Sequence, residues 1–142
     1  MTVEIEHSPQ SRSMLRDYLA TVSRQPFQWG KHDCCTVAAE WVLQVTGQHV
    51  LPGYRYKTLK GGLSLVRRRG FAGYVEVFAA SLLDCPVLML RPGDLAVMEG
   101  DSYPAMGIVM PGGERVWCFG PDGCGSVPLT EARRGFRVAA CA

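Results

Sequence analysis

The sequence is poor in histidine, contains no CxxC pair and has no long apolar run. Its 142 residues include three histidines, His7, His32 and His49, which is a small supply of general bases. The six cysteines stand at 34, 35, 85, 118, 124 and 141. One pair is adjacent and the rest are scattered, so the spacing of a zinc knuckle is missing and nothing favours an iron–sulfur site. No stretch approaches the roughly 18 apolar residues of a membrane span, so no membrane partner is expected. The start, Met1-Thr2-Val3-Glu4-Ile5-Glu6, has neither the basic residues nor the apolar run of a secretory signal. The cysteines are therefore expected as thiols in a reducing cytoplasm. A balance of 15 Lys and Arg against 13 Asp and Glu, net +2, is too even to point to nucleic acid. Gly112-Gly113 and Gly123 read as turns rather than a phosphate loop, and neither a cofactor nor a metal is expected.

Hydrophobic residues make up 47% and charged residues 20%, enough apolar material for a core. The length fits one domain, 1–142, with residues 1–10 as an N-terminal arm. Ser11 can cap a helix to about Arg24, with Met14, Leu15, Tyr18, Leu19 and Val22 on one face. Asp33 is a good N-cap for a second helix, lined by Cys34, Val37, Ala38, Trp41, Val42 and Val45 and stopped by Gly47. Leu51 to Tyr56 is a loop. Helical segments follow near Leu59 to Arg69 and Gly73 to Leu83, and Pro86 closes that half. Short apolar runs then alternate with turns: Leu95 to Met98, Met106 to Met110, Arg115 to Phe119, and a last one from Phe136 to Ala140. This describes an antiparallel meander. Helices first and a small antiparallel sheet second make an α+β fold.

The informative segment is Phe27-Gln28-Trp29-Gly30-Lys31-His32-Asp33-Cys34-Cys35. It sets a thiol in the first turn of an apolar helix, where unpaired amides and the helix dipole favour the thiolate. That is a general device for a cysteine nucleophile. The plain alternative is a small buried residue opening a core helix. Trp29, on the loop beside Cys34, is the best groove aromatic, whereas Trp41 and Trp117 sit in periodic apolar segments and read as core. Tyr54, Tyr56 and Tyr103 are loop aromatics and candidates for binding. Arg67-Arg68-Arg69 and Arg133-Arg134 read as solvated faces or contact patches.

Trp29-Gly30 with Asp33-Cys34, a helix, and then Pro92-Gly93-Asp94-Leu95 before a strand resemble the NlpC-type cell-wall peptidases. These are small papain-like enzymes in which an Asp-Cys pair opens the central helix. The likeness runs from about Phe27 to the last strand. More narrowly, the chain resembles short phage and prophage tail proteins with a Trp-Gly-x-His-Asp-Cys segment, a Thr-Gly after the helix (here Thr46-Gly47) and an Arg-rich helix end (here Arg67 to Gly70). The resemblance implies an NlpC-like fold, residence in a virion tail tip after synthesis in a host cytoplasm, and partners among other tail-tip proteins such as the hub and the distal tail protein. It also implies peptidoglycan as a further contact.

In that family the strand after the Pro-Gly-Asp-Leu turn begins His-Val-Gly-Ile, and its histidine is the catalytic base. Aligning Gly107-Ile108 with it puts Ala105 at the histidine position, and alanine accepts no proton. His32 is the alternative base, two residues before Cys34 on the incoming loop. His49 lies past the far end of the helix, roughly 20 Å away at about 1.5 Å per residue. His7 belongs to the N-terminal arm. Asp33 beside Cys34 also opposes the thiolate. Two expectations result. The first is a degenerate NlpC-like structural component of a tail tip, with a vestigial Cys34. The second is an active cysteine peptidase or amidase acting on wall peptides during phage entry. Under the first, the arm before Ser11, the Leu51 to Tyr56 loop and the Tyr103 to Ala105 segment supply the interface.

Overall fold

The computed structural model describes residues 9–100 and 102–139; His7 and the rest of the expected N-terminal arm up to residue 8 lie outside them. Four helices, α1 (Pro9–Ser23), α2 (Cys34–Thr46), α3 (Leu59–Arg68) and α4 (Tyr74–Ser81), precede most of the sheet. Six strands follow: β1 (Leu83–Asp84), β2 (Leu95–Met98), β3 (Ala105–Val109), β4 (Arg115–Gly120), β5 (Gly123–Pro128) and β6 (Ala132–Arg137). They form one sheet in the order β1-β6-β2-β3-β4-β5, and its pairings are antiparallel. The expected α+β class is the one observed.

Several boundaries differ from expectation for physical reasons. The first helix is already formed at Pro9, so Ser11 lies inside it and not at its cap; proline's fixed φ suits a first turn. β5, Gly123-Cys124-Gly125-Ser126-Val127-Pro128, has little strand propensity. It forms because Pro121-Asp122 closes a hairpin that pairs it along the whole of β4. β1 is only two residues long and exists by pairing Leu83 and Asp84 with Arg137 and Phe136. β6 starts at Ala132 and ends at Arg137 rather than running from Phe136 to Ala140. Arg133 and Arg134 are therefore strand residues, paired with Glu99 and with Asp84 and Glu76.

The central helix α2 packs on β3 and β4. Asp33 and Thr36 close a capping box at its start, satisfying two amides that no helical carbonyl reaches. Gly47 ends it in the left-handed conformation at φ 77, which costs glycine little. Strand alternation divides the sheet's side chains. Leu95, Val97, Met106, Ile108, Trp117 and Phe119 face the helices, while Ala96, Met98, Val109 and Val116 join Cys85 and Leu90 in a smaller cluster. Gly107 lies so close to Val116 and the Trp117 carbonyl that a Cβ has no room there.

The Pro92-Gly93-Asp94-Leu95 turn ties these parts together. Trp41 donates its indole N–H to the Gly93 carbonyl at 2.7 Å, binding α2 to the turn. Asp94, fully buried, accepts from the amides of Arg91 at 2.9 Å and Val138 at 2.8 Å, and its carboxylate pairs with Arg137 Nε at 3.1 Å. Removing one member of a buried, hydrogen-bonded charge pair leaves the other uncompensated. Asp94→Ala should therefore lower the unfolding free energy by roughly 3–5 kcal/mol in urea titration. A loss under about 1 kcal/mol, the worth of one ordinary hydrogen bond, would show that the turn does not anchor the sheet.

Candidate functional site

The loop before α2 makes one tight turn. Gln28 and His32 exchange backbone hydrogen bonds, and Gly30 sits between them at φ 84. There is no room for a Cβ on Gly30 against the Tyr56 carbonyl, so the loop and the Leu51 to Tyr56 segment meet backbone to backbone. Beneath this contact is Asp33, 1% exposed. Its Oδ2 accepts from the Gly30 amide at 2.8 Å and the Tyr56 hydroxyl at 2.6 Å. Its Oδ1 accepts from the Thr36 amide at 2.8 Å.

Cys34 and Cys35 follow, both buried. The Cys34 thiol is drawn below the ordinary cysteine range. The largest cause is a hydrogen bond from the Cys35 thiol, with the backbone amides of Met106 and Cys35 adding to it; burial and the Asp33 carboxylate oppose them. Cys35 is pushed well above its ordinary range, first by burial and then by its hydrogen bond and charge interaction with Cys34. The first thiol can therefore carry negative charge only while the second keeps its proton.

Met106 is the residue after Ala105 at the start of β3. The Met106 amide reaches Cys34, whereas Ala105, the position expected to carry a histidine, packs against the cluster on the other face of the sheet. Among the described residues no histidine is among the groups acting on Cys34. His32 is half-buried, and its backbone makes the bridge to Gln28. His49 is exposed beyond the far end of α2. Three tyrosines do feel the cysteine charges, namely Tyr56, Tyr74 and Tyr103. Each is pushed upward, by burial first, so each keeps its proton at neutral pH and cannot act as a base. Among the described residues no cluster of three or more His, Cys, Asp or Glu side chains could hold a metal ion, and no helix is long and apolar enough to cross a membrane.

The sequence-derived candidates divide into two groups. Trp29 and Tyr103 come together edge to face, 5.9 Å between ring centroids, with Phe27 4.8 Å from Trp29; both remain half-exposed beside Cys34. Tyr54 and Tyr56 do not stand out from their loop as the sequence led us to expect. Tyr56 reaches inward to Asp33. Tyr54 packs against the core, and Arg69 stacks on its ring at 4.1 Å. Ala105 is likewise half-buried in a strand and not in an exposed segment. Trp41 and Trp117 are core residues, as their periodicity indicated. The residues that sequence reasoning missed are Cys35, Tyr74 and the Met106 amide. With Tyr54, Tyr56 and Val66, Cys35 and Tyr74 line a cavity of about 40 Å³. The only signal for Cys35 was its adjacency to Cys34, and nothing in the sequence pointed to Tyr74.

Tyr56→Phe should cost roughly 1.5–3 kcal/mol in urea titration, the usual range for a hydrogen bond to a charged group. Tyr74→Phe should be neutral or stabilising, because its buried hydroxyl meets no hydrogen-bond partner among the described residues. Equal effects of the two substitutions would contradict the assignment of Tyr56 as the tether.

Residues 7–138 match the family model described as "Domain of unknown function (DUF6950)". No curated protein matches the chain.

Proposed function

The chain belongs to the DUF6950 family, and from that premise we propose that it is a degenerate NlpC-type, papain-like domain serving as a structural component of a bacteriophage tail tip. The observation that carries the loss of activity is the surroundings of Cys34. A working cysteine hydrolase needs a nucleophile, a base within hydrogen-bond reach and a group that orients the base. Here the thiol is closed in, with 6% exposure. The groups acting on it are Cys35, Asp33 and two backbone amides. The sequence position that the resemblance gives to the base holds Ala105, which accepts no proton. Asp33 is engaged with the fold rather than with a base: its oxygens accept from Gly30, Tyr56 and Thr36. Lacking a base forfeits about two to four orders of magnitude in rate.

The tail-tip part of the reading is supported by the likeness of Trp29-Gly30-Lys31-His32-Asp33-Cys34, Thr46-Gly47 and Arg67 to Gly70 to short phage tail proteins. Its partners are then neighbouring tail chains, the hub and the distal tail protein, and its location is the virion. An enzyme fold without its base retains a rigid scaffold, and a tail component needs rigid surface. One feature favours the second reading, a peptidase or amidase acting on wall peptides: the Cys34 thiol sits in the first turn of α2 behind the Asp33 cap, with the Cys35 thiol and the Met106 amide drawing its pKa down against burial.

One variant separates the two. Phage carrying Cys34→Ala should assemble and infect as the parent does, measured by particle yield and plating efficiency. Particles that assemble but fail to penetrate the wall would overturn the structural reading and establish the peptidase. In solution, iodoacetamide should alkylate Cys34 of the folded protein at least about 100-fold more slowly than the unfolded chain, as expected for a buried thiol.

A further inference from the structure

Charge is unevenly distributed along this nearly neutral chain. Between Trp41 and Val75 there is no Asp or Glu, yet the segment holds Arg55, Lys57, Lys60, Arg67, Arg68 and Arg69. The remainder carries nine Lys and Arg against thirteen Asp and Glu. Folding gathers these cations onto one surface. Lys60 and Arg67 lie seven residues apart on α3, two turns along the same stripe, and Arg68 is next to it. Leu59, Leu63 and Val66, on the adjoining apolar stripe, line the inner cavity. Arg69 turns away from the stripe and holds the Pro52 and Gly53 carbonyls at 2.7 and 3.0 Å, fixing the loop that carries Arg55 and Lys57 against α3. The close approach of Gly30 to Tyr56 sets Lys31 beside the same loop.

We propose that Lys31, Arg55, Lys57, Lys60, Arg67 and Arg68 form a docking surface for an acidic face of another protein. All six are exposed. The ion pairs among the described residues use Arg133, Arg134 and Arg137, none of these six. Glu76, the acid that follows the segment, is engaged by Arg134. Arginine forks on a fixed helix suit carboxylates, which they bind in pairs of parallel hydrogen bonds.

Three observations favour an acidic protein over an extended polyanion. Outside this surface the chain is net acidic, so a long nucleic acid or an anionic bilayer would meet repulsion beyond the patch, whereas a compact acidic face matches it. Tyr54 and Tyr56 are turned inward, which leaves no loop tyrosine here to stack on bases. The large exposed apolar side chains, Leu83, Leu88 and Met89, belong to a different stretch, so this one offers nothing to insert into a bilayer. The inference is independent of the tail-tip reading and stands or falls by itself.

The test uses the full chain and three probes at about 50 mM salt, where exposed charges are weakly screened. The probes are a fluorescein-labelled polyglutamate peptide, mixed-sequence duplex DNA and phosphatidylglycerol vesicles. The peptide should bind more tightly than either alternative, and its affinity should fall as salt is added. The triple change Lys60→Glu, Arg67→Glu and Arg68→Glu should weaken peptide binding by about tenfold or more with an unchanged melting temperature. If that variant does not fold, the corresponding glutamine triple, which removes charge without reversing it, should give the same loss. No peptide binding at low salt, binding that the folded triple variant retains, or tighter binding of DNA or vesicles would overturn the proposal.

Discussion

The arrangement around Cys34 depends on one buried carboxylate. Asp33 joins three separate pieces of chain: the Gly30 turn, the first turn of α2 and the Tyr56 loop. A carboxylate at 1% exposure is costly to bury, and the cost is offset by the hydrogen bonds it accepts, which a charged acceptor makes roughly twice as strong as neutral ones. Because those bonds come from both sides, the loops cannot move apart without stranding the charge. The thiol that follows inherits this rigidity. It is buried, with the Cys35 thiol and the Met106 amide of β3 hydrogen-bonded to it.

A second buried carboxylate plays the matching part on the sheet side. Asp94 joins the turn before β2 to the end of β6, and the neighbouring Gly93 carbonyl receives Trp41 from α2. The two aspartates thus fix the start of the helix and the start of the sheet, and β3 lies between them with its Met106 amide directed at Cys34. Ala105, one residue earlier on β3, packs against the cluster on the other face of the sheet.

Much of this could be read from the sequence, for reasons that are local. Asp33 followed by an apolar period of 3.6, Gly47 after it, and Pro92-Gly93 before Leu95 each state a backbone conformation within a few residues. The long-range facts were not legible in the same way. β5 and β1 lack the composition of strands and exist only through their partners. Tyr56 looked like an exposed loop aromatic because its acceptor is 23 residues away. Arg133 and Arg134 looked like a solvated cluster because the sequence does not say that Asp84 and Glu99 fold back to them. Cys34 and Ala105 could be aligned with a family pattern, but the burial of the thiol and its hydrogen bond with Cys35 required the packed structure.

Asp33 is a pin of the architecture, and the most direct test of that role is the unfolding free energy of Asp33→Ala compared with the parent in urea. Loss of the carboxylate strands the Tyr56 hydroxyl and the Gly30 and Thr36 amides at once, so the predicted loss is roughly 3–5 kcal/mol, in the range for breaking a buried charged network. A loss below about 1 kcal/mol, within what a simple helix cap contributes, would contradict the account and leave the closure of the Cys34 site without a cause.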